Sequence, residues 1–236
     1  MGRAVDCLGP LKRINRPTRW TCGGVLMALS LAFIQMGCHA PLPTNRITVA
    51  SAGRISSLDP AQASTLSATQ LISALGDPLY RLGRDGSLEP RLAASAPVLS
   101  DAGRTITIPL RTDVRFHDGT PFNAAAMAFS LRRFLNIGTL SYVVGDRITS
   151  VEEVDTHTLR LHLSRPSTSL QGLLTSINLT PISPTAYSSH QNRFLHDRFV
   201  GTGPYKLIRF SEHQQRLEPF AQYWGDSPRN NGLDLI

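Results

Sequence analysis

Apolar positions recur at helical spacing in two stretches of the chain and alternate at strand spacing in several others. Leu66, Leu71, Ile72 and Leu75 predict a helix over 66–75, stopped by Gly76-Asp77-Pro78. Ala124, Met127, Ala128, Leu131 and Leu135 predict a second helix, with Asn123 as N-cap and Arg132 and Arg133 largely off its apolar stripe. Thr105-Ile106-Thr107-Ile108 alternates as a half-buried strand does, and Asp101-Ala102-Gly103 turns it into a hairpin spanning Val98 to Arg115. A second hairpin pairs Ile148–Val154 with Thr158–Leu163 around Asp155-Thr156-His157. Short strands near Leu79–Leu82 and Leu88–Leu92 flank Arg84-Asp85-Gly86, and another runs from Tyr205 to Phe210. Ile47 to Ala50 reads as a strand apolar enough to be central in a sheet, and a short helix is expected near Ser169 to Thr175. Strands mixed with helices make the fold class α/β, of the mixed α+β kind.

The first 37 residues do not follow this pattern. Arg13, Arg16 and Arg19 precede an apolar run, Val25 to Met36, that ends at Gly37-Cys38. A basic stretch, an apolar run and a small residue before a break describe an export signal over 1–37. The run is shorter than the roughly 20 residues a membrane-spanning helix needs. Gly37-Cys38 resembles a lipoprotein processing site, which would put a lipid on Cys38 and tether the chain to a membrane. Gln35 and Met36 depart from the aliphatic and small residues favoured there, and ordinary signal cleavage, for instance after Ala40, is the alternative. Residues 38–45, with Pro41-Leu42-Pro43, read as a linker, and the folded domain as 46–236.

Charge and cysteines narrow the function. The net charge is +7, but about half of it lies before Cys38, and the later arginines are scattered singly among acids. No basic stripe with interleaved aromatics appears, which argues against nucleic acid as a partner. Cys7, Cys22 and Cys38 all precede the folded part, so it has no disulfide framework and no cysteine nucleophile. His117-Asp118 sits in an Asp-Gly turn and reads as turn chemistry. His157, His162, His190 and His196 lack ligand spacing, so no metal and no cofactor is expected. Glu152 and Glu153 point to opposite faces of a strand. Gly201-Thr202-Gly203 lacks a third glycine and reads as a tight backbone turn, and no G-x-S-x-G elbow supports a hydrolase.

Six stretches, in order, resemble the extracytoplasmic solute-binding proteins of family 5, which serve peptide, dipeptide and nickel ABC importers. They are Ser57-Leu58-Asp59-Pro60, Leu79 to Ala93, Gly103 to Asn123, the helix Ala124 to Arg133, Val200 to Leu207, and Gln222-Tyr223-Trp224-Gly225. The resemblance implies a lobe of periplasmic-binding-protein type II, a mixed sheet with flanking helices. Members of the family run to about twice this length, so the second lobe is expected to be absent here. The implied function is capture of a peptide or similar small-molecule ligand and its delivery to ABC permease subunits, without catalysis. By position, the loop after the first strand (Ser51, Gly53 and Arg54) and Tyr142 are the candidate ligand-binding residues. A truncated or split-gene product without binding activity of its own is the second reading, and an exported hydrolase the third.

Overall fold

The structure, a computed structural model, describes residues 45–50, 53–167 and 172–236. The expected signal, Cys38 and most of the linker lie outside those residues. So does Ser51, and the expected helix near Ser169 to Thr175 falls across 168–171.

Two four-stranded sheets and a two-stranded ribbon organise the described chain. The first sheet is antiparallel throughout, in the order β4 (Val98–Ser100), β5 (Thr105–Pro109), β7 (Thr158–Leu163), β6 (Ile148–Asp155). Along β7, Leu159, Leu161 and Leu163 are buried while Arg160 and His162 lie on the outer face, as the pleat dictates. Helix α2 (Ala124–Ile137) covers the inner face with Ala124, Met127, Ala128, Leu131 and Phe134. The Asn123 side chain accepts from Ala126 N–H at 2.9 Å and so caps the helix.

The second sheet has the order β1 (Ile47–Val49), β10 (Leu233–Leu235), β9 (Gln215–Pro219), β8 (Tyr205–Phe210). β1 runs parallel to β10 and the remaining pairs are antiparallel. Helix α1 (Leu66–Leu75) packs against it, and Ala68, Leu71, Ile72, Leu75, Leu217 and Leu235 form a second core. A short helix, α3 (Pro184–Tyr187), adds Tyr187 to that core. The ribbon pairs β2 (Tyr80–Leu82) with β3 (Leu88–Pro90).

One expectation is corrected. Among the described residues β1 is an edge strand rather than a central one: it pairs there with β10 alone, and Ile47 and Val49 are 49% and 40% exposed. Arg133 stands off the apolar stripe of α2, as expected, and is buried all the same, whereas Arg132 beside it is exposed. Ala126, Ser130 and Arg133 recur at helical spacing and form a second packed face of α2. The Ser130 hydroxyl bonds Ile182 N–H and C=O, and the Arg133 guanidinium lies over the Tyr187 ring, so this face meets the second core. β9 and β10 carry no counterpart among the strands expected from the pattern.

Candidate functional site

The loop leaving β1 carries two of the candidate residues. Gly53 lies so near α1 that an added Cβ would stand 2.8 Å from Ser67 Oγ. Arg54 follows with its side chain 72% exposed and its guanidinium 3.8 Å from Glu212. Ile55 then turns inward and is buried. Its N–H faces Glu212 C=O at 3.5 Å, so the turn between β8 and β9 lies against this loop. Tyr142 stands elsewhere, 74% exposed on a single helical turn (Ser141–Val143) after α2. Arg54 and Tyr142 share no hydrogen bond or ion pair among the described residues.

Behind these exposed positions, polar ties join distant segments. Asp59 and Arg133 form a bidentate pair at 2.9 and 2.5 Å, both buried. The carboxylate also accepts from Ala61 N–H and Leu195 N–H, and Arg133 donates to Arg193 C=O. A charge pair so enclosed is tolerable only because nearly every lone pair and proton finds a partner; Arg133 Nε is the buried exception. Asp77 makes a second tie, accepting from Arg91 at 2.6 Å and from the Trp224 indole at 3.0 Å. The Trp224 ring is flanked by the Arg91 and Arg111 guanidinium groups at 4.9 and 4.4 Å. Tyr223 joins this cluster, and burial, then the Asp77 charge, pushes its phenol up to about 12.

Gly201-Thr202-Gly203 makes the third tie. Gly203 N–H donates to Leu75 C=O, and a Cβ on Gly203 would lie 2.5 Å from Gly76 N, so only glycine fits this approach. His117 N–H donates to Gly201 C=O and the ring Nε2–H to Gly203 C=O. Burial drives the His117 pKa down to about 4, which keeps the ring neutral, and its Nδ1 has no hydrogen-bond partner among the described residues. Asp118 accepts from Thr120 and Ser183. Burial raises that carboxyl, but these hydrogen bonds outweigh it and hold it below the usual range. Thus Ser183 donates to a carboxylate instead of a histidine, while His117 faces a carbonyl and the edge of Phe220. No group of three or more His, Cys, Asp or Glu able to hold a metal occurs among the described residues.

Every segment that carried the resemblance is therefore a structural tie: Asp59 with Arg133, Arg91 with Trp224, and Gly203 against the end of α1. Residues 87–235 match the profile described as bacterial extracellular solute-binding proteins, family 5 middle. The chain belongs to this family.

Among its relatives, the glutathione-binding protein GsiB of Escherichia coli K12 is 30% identical over 202 residues, covering 84% of this chain and 39% of GsiB. The same-named protein of Salmonella choleraesuis is 31% identical over an equal span. An ABC transporter substrate-binding protein of Sinorhizobium meliloti superposes with a TM-score of 0.72 at 30% identity, covering 80% of this chain and 38% of its own. The binding protein MoaA of A. tumefaciens R10, solved with mannopinic acid, gives 0.75 at 26% identity, with 81% and 40% covered. The fold is thus that of periplasmic-binding-protein type II, and this family 5 chain spans about 39% of the length of the curated relatives it matches. These relatives are named for binding, not for catalysis.

The β8–β9 turn escaped the sequence pattern. Its signal was the polar run Ser211-Glu212-His213-Gln214 between two strand-like stretches, and only the fold brings Glu212 beside Arg54.

Proposed function

We propose that this chain contributes the first lobe of the solute-binding component of an ABC importer. It works outside the cytoplasmic membrane, takes up peptides or similar small solutes, and hands them to permease subunits. Family membership over residues 87–235 is the observation that carries this reading. The relatedness to GsiB makes glutathione, itself a tripeptide, the first solute to try. Exposed loops such as Gly53–Arg54 and the turn bearing Tyr142 would offer backbone groups, a guanidinium and a phenol, with Ser51 beside them in the chain. A ligand touching this lobe and a second one would bias a hinge toward closure.

In the same proposal, residues 1–37 direct export, 38–45 link, and Cys38 carries a lipid that holds the protein at the membrane. Labelling with palmitate in cells should mark the chain and fail in Cys38→Ala; label retained in that variant would reject the anchor.

Titration calorimetry with glutathione and mixed tripeptides tests the binding role. Saturable heat, weakened by Arg54→Ala or Tyr142→Ala, is the expected outcome. A second reading is that the chain has no binding activity by itself, favoured by its spanning about 39% of its relatives' length. Heat that appears only when the remaining length is supplied separately selects it. No heat in either arrangement rejects the solute-binding role.

A further inference from the structure

Beside Tyr142 lies a pocket of about 150 Å³ with an almost wholly apolar wall. Phe134 at the end of α2, Leu140 and Val143 of the turn after it, and Leu173 and Leu179 of a later segment line it. Its backbone groups are engaged within the wall: Ser141 N–H donates to Gly138 C=O, Val143 N–H to Leu140 C=O, and Leu179 N–H to Ser176 C=O. Two polar residues, Ser176 and Asn178, also border the pocket, but their polar atoms are committed. The Ser176 hydroxyl accepts from Asn178 N–H at 3.3 Å and donates to Asn178 Oδ1 at 3.4 Å. Asn178 Nδ2 donates to Pro60 C=O and Ala63 C=O at 2.8 and 2.7 Å.

That chemistry decides the occupant. A polar group entering would surrender its hydration and find no partner. Water is a poor tenant for the same reason, since a buried water needs roughly two to four polar partners, and an apolar cavity of about 150 Å³ takes a benzene-sized guest. Val143 in the wall is 38% exposed and its chain neighbour Tyr142 is 74% exposed, so this side of the pocket faces solvent. We propose that this pocket receives an apolar side chain of the solute, aromatic or branched aliphatic and about the size of benzene. The inference rests on the solute-binding role above and adds to it a preference for solutes that carry such a group over glutathione, which has none.

Two measurements on the full chain keep the pocket and the binding role apart. Methyl resonances of Leu140, Val143, Leu173 and Leu179 should shift saturably on adding toluene. In Val143→Trp the larger side chain fills the mouth, and the shifts at the three leucines should vanish; Val143→Ala should retain them. Ala-Phe-Ala should bind about tenfold or more tighter than Ala-Ser-Ala, as apolar pockets of this size discriminate, and Val143→Trp should erase the difference. No toluene shift, or a phenylalanine preference that survives Val143→Trp, overturns the pocket assignment. Equal binding of the two tripeptides overturns the assigned occupant and leaves the binding role intact. Toluene shifts without binding of either tripeptide, both by the chain alone and with the remaining length supplied, overturn the binding role and the occupant with it.

Discussion

The two four-stranded sheets reach stability by different routes. In β4-β5-β7-β6 two of the three pairings are hairpins between consecutive strands, and Ile106, Ile108, Leu159 and Leu161 are fully buried under α2. In β1-β10-β9-β8 the first strand pairs with one almost at the other end of the chain, Ile47 with Leu233, and its apolar side chains stay half open. Closing so long a loop is entropically costlier than closing a hairpin. Polar stitching supplies part of what burial does not. Arg46 donates to Asp234 at 2.7 Å and to the carbonyls of Leu217, Leu233 and Asn231, tying β1 to β10 and β9. The β4-β5-β7-β6 sheet is thus sealed by hydrocarbon, and the β1–β10 pairing depends heavily on hydrogen bonds with a charged donor.

The largest expected effect joins the two regions. Asp59→Ala strands the buried Arg133 charge and should lower unfolding free energy by about 3–5 kcal/mol. Urea denaturation measures this, and the double change Asp59→Leu/Arg133→Met should lose less than the single one. A loss below about 1 kcal/mol in Asp59→Ala would sink the claim that this pair locks the helix to the second core.

Acid should act next. The folded His117 titrates near 4 instead of its ordinary 6.5, so the unfolded chain takes a proton first. Stability should therefore fall as pH drops from 6.5 toward 4, by at most about 3 kcal/mol, and stay level with respect to this group below that. His117→Gln, weaker at neutral pH, should lack this share of the decline; parallel curves for the two proteins would reject the assignment.

Arg46→Ala separates the sheets directly. It should raise hydrogen exchange at β1 and β10 by an amount equivalent to about 1–2 kcal/mol while β5 and β7 keep their protection. Equal loss in both sheets would mean that they unfold as one unit. Smallest of all is Glu153→Ala, which removes an exposed ion pair with Arg132 and should cost no more than about 1 kcal/mol by thermal denaturation.

Legibility in the sequence followed the same division. The hairpins and both long helices announce themselves because spacing and turn residues are local, and Asn123 caps where its chemistry says it should. β10 does not: Leu233-Asp234-Leu235 is three residues long and acquires meaning only from partners far away in sequence. The burial of Arg133 could not be read from the pattern, because its partner Asp59 is 74 residues earlier. The candidate site was less legible than the fold. Arg54 and Tyr142 are both exposed, but the turn carrying Glu212 and the apolar pocket under Val143 are assembled from separated segments. Periodicity cannot register such assemblies.

The tryptophan beside Arg91 and Arg111 has an optical consequence. The chain has two indoles, Trp20 and Trp224, and a polypeptide beginning at Cys38 retains just the second. Its excited state would then sit near two guanidinium groups and a carboxylate, a polarising environment that vanishes when the surrounding segments part. Emission from one ring would register whether the segments around positions 77, 91, 111 and 224 have met, giving the folded lobe a built-in gauge of its own long-range assembly.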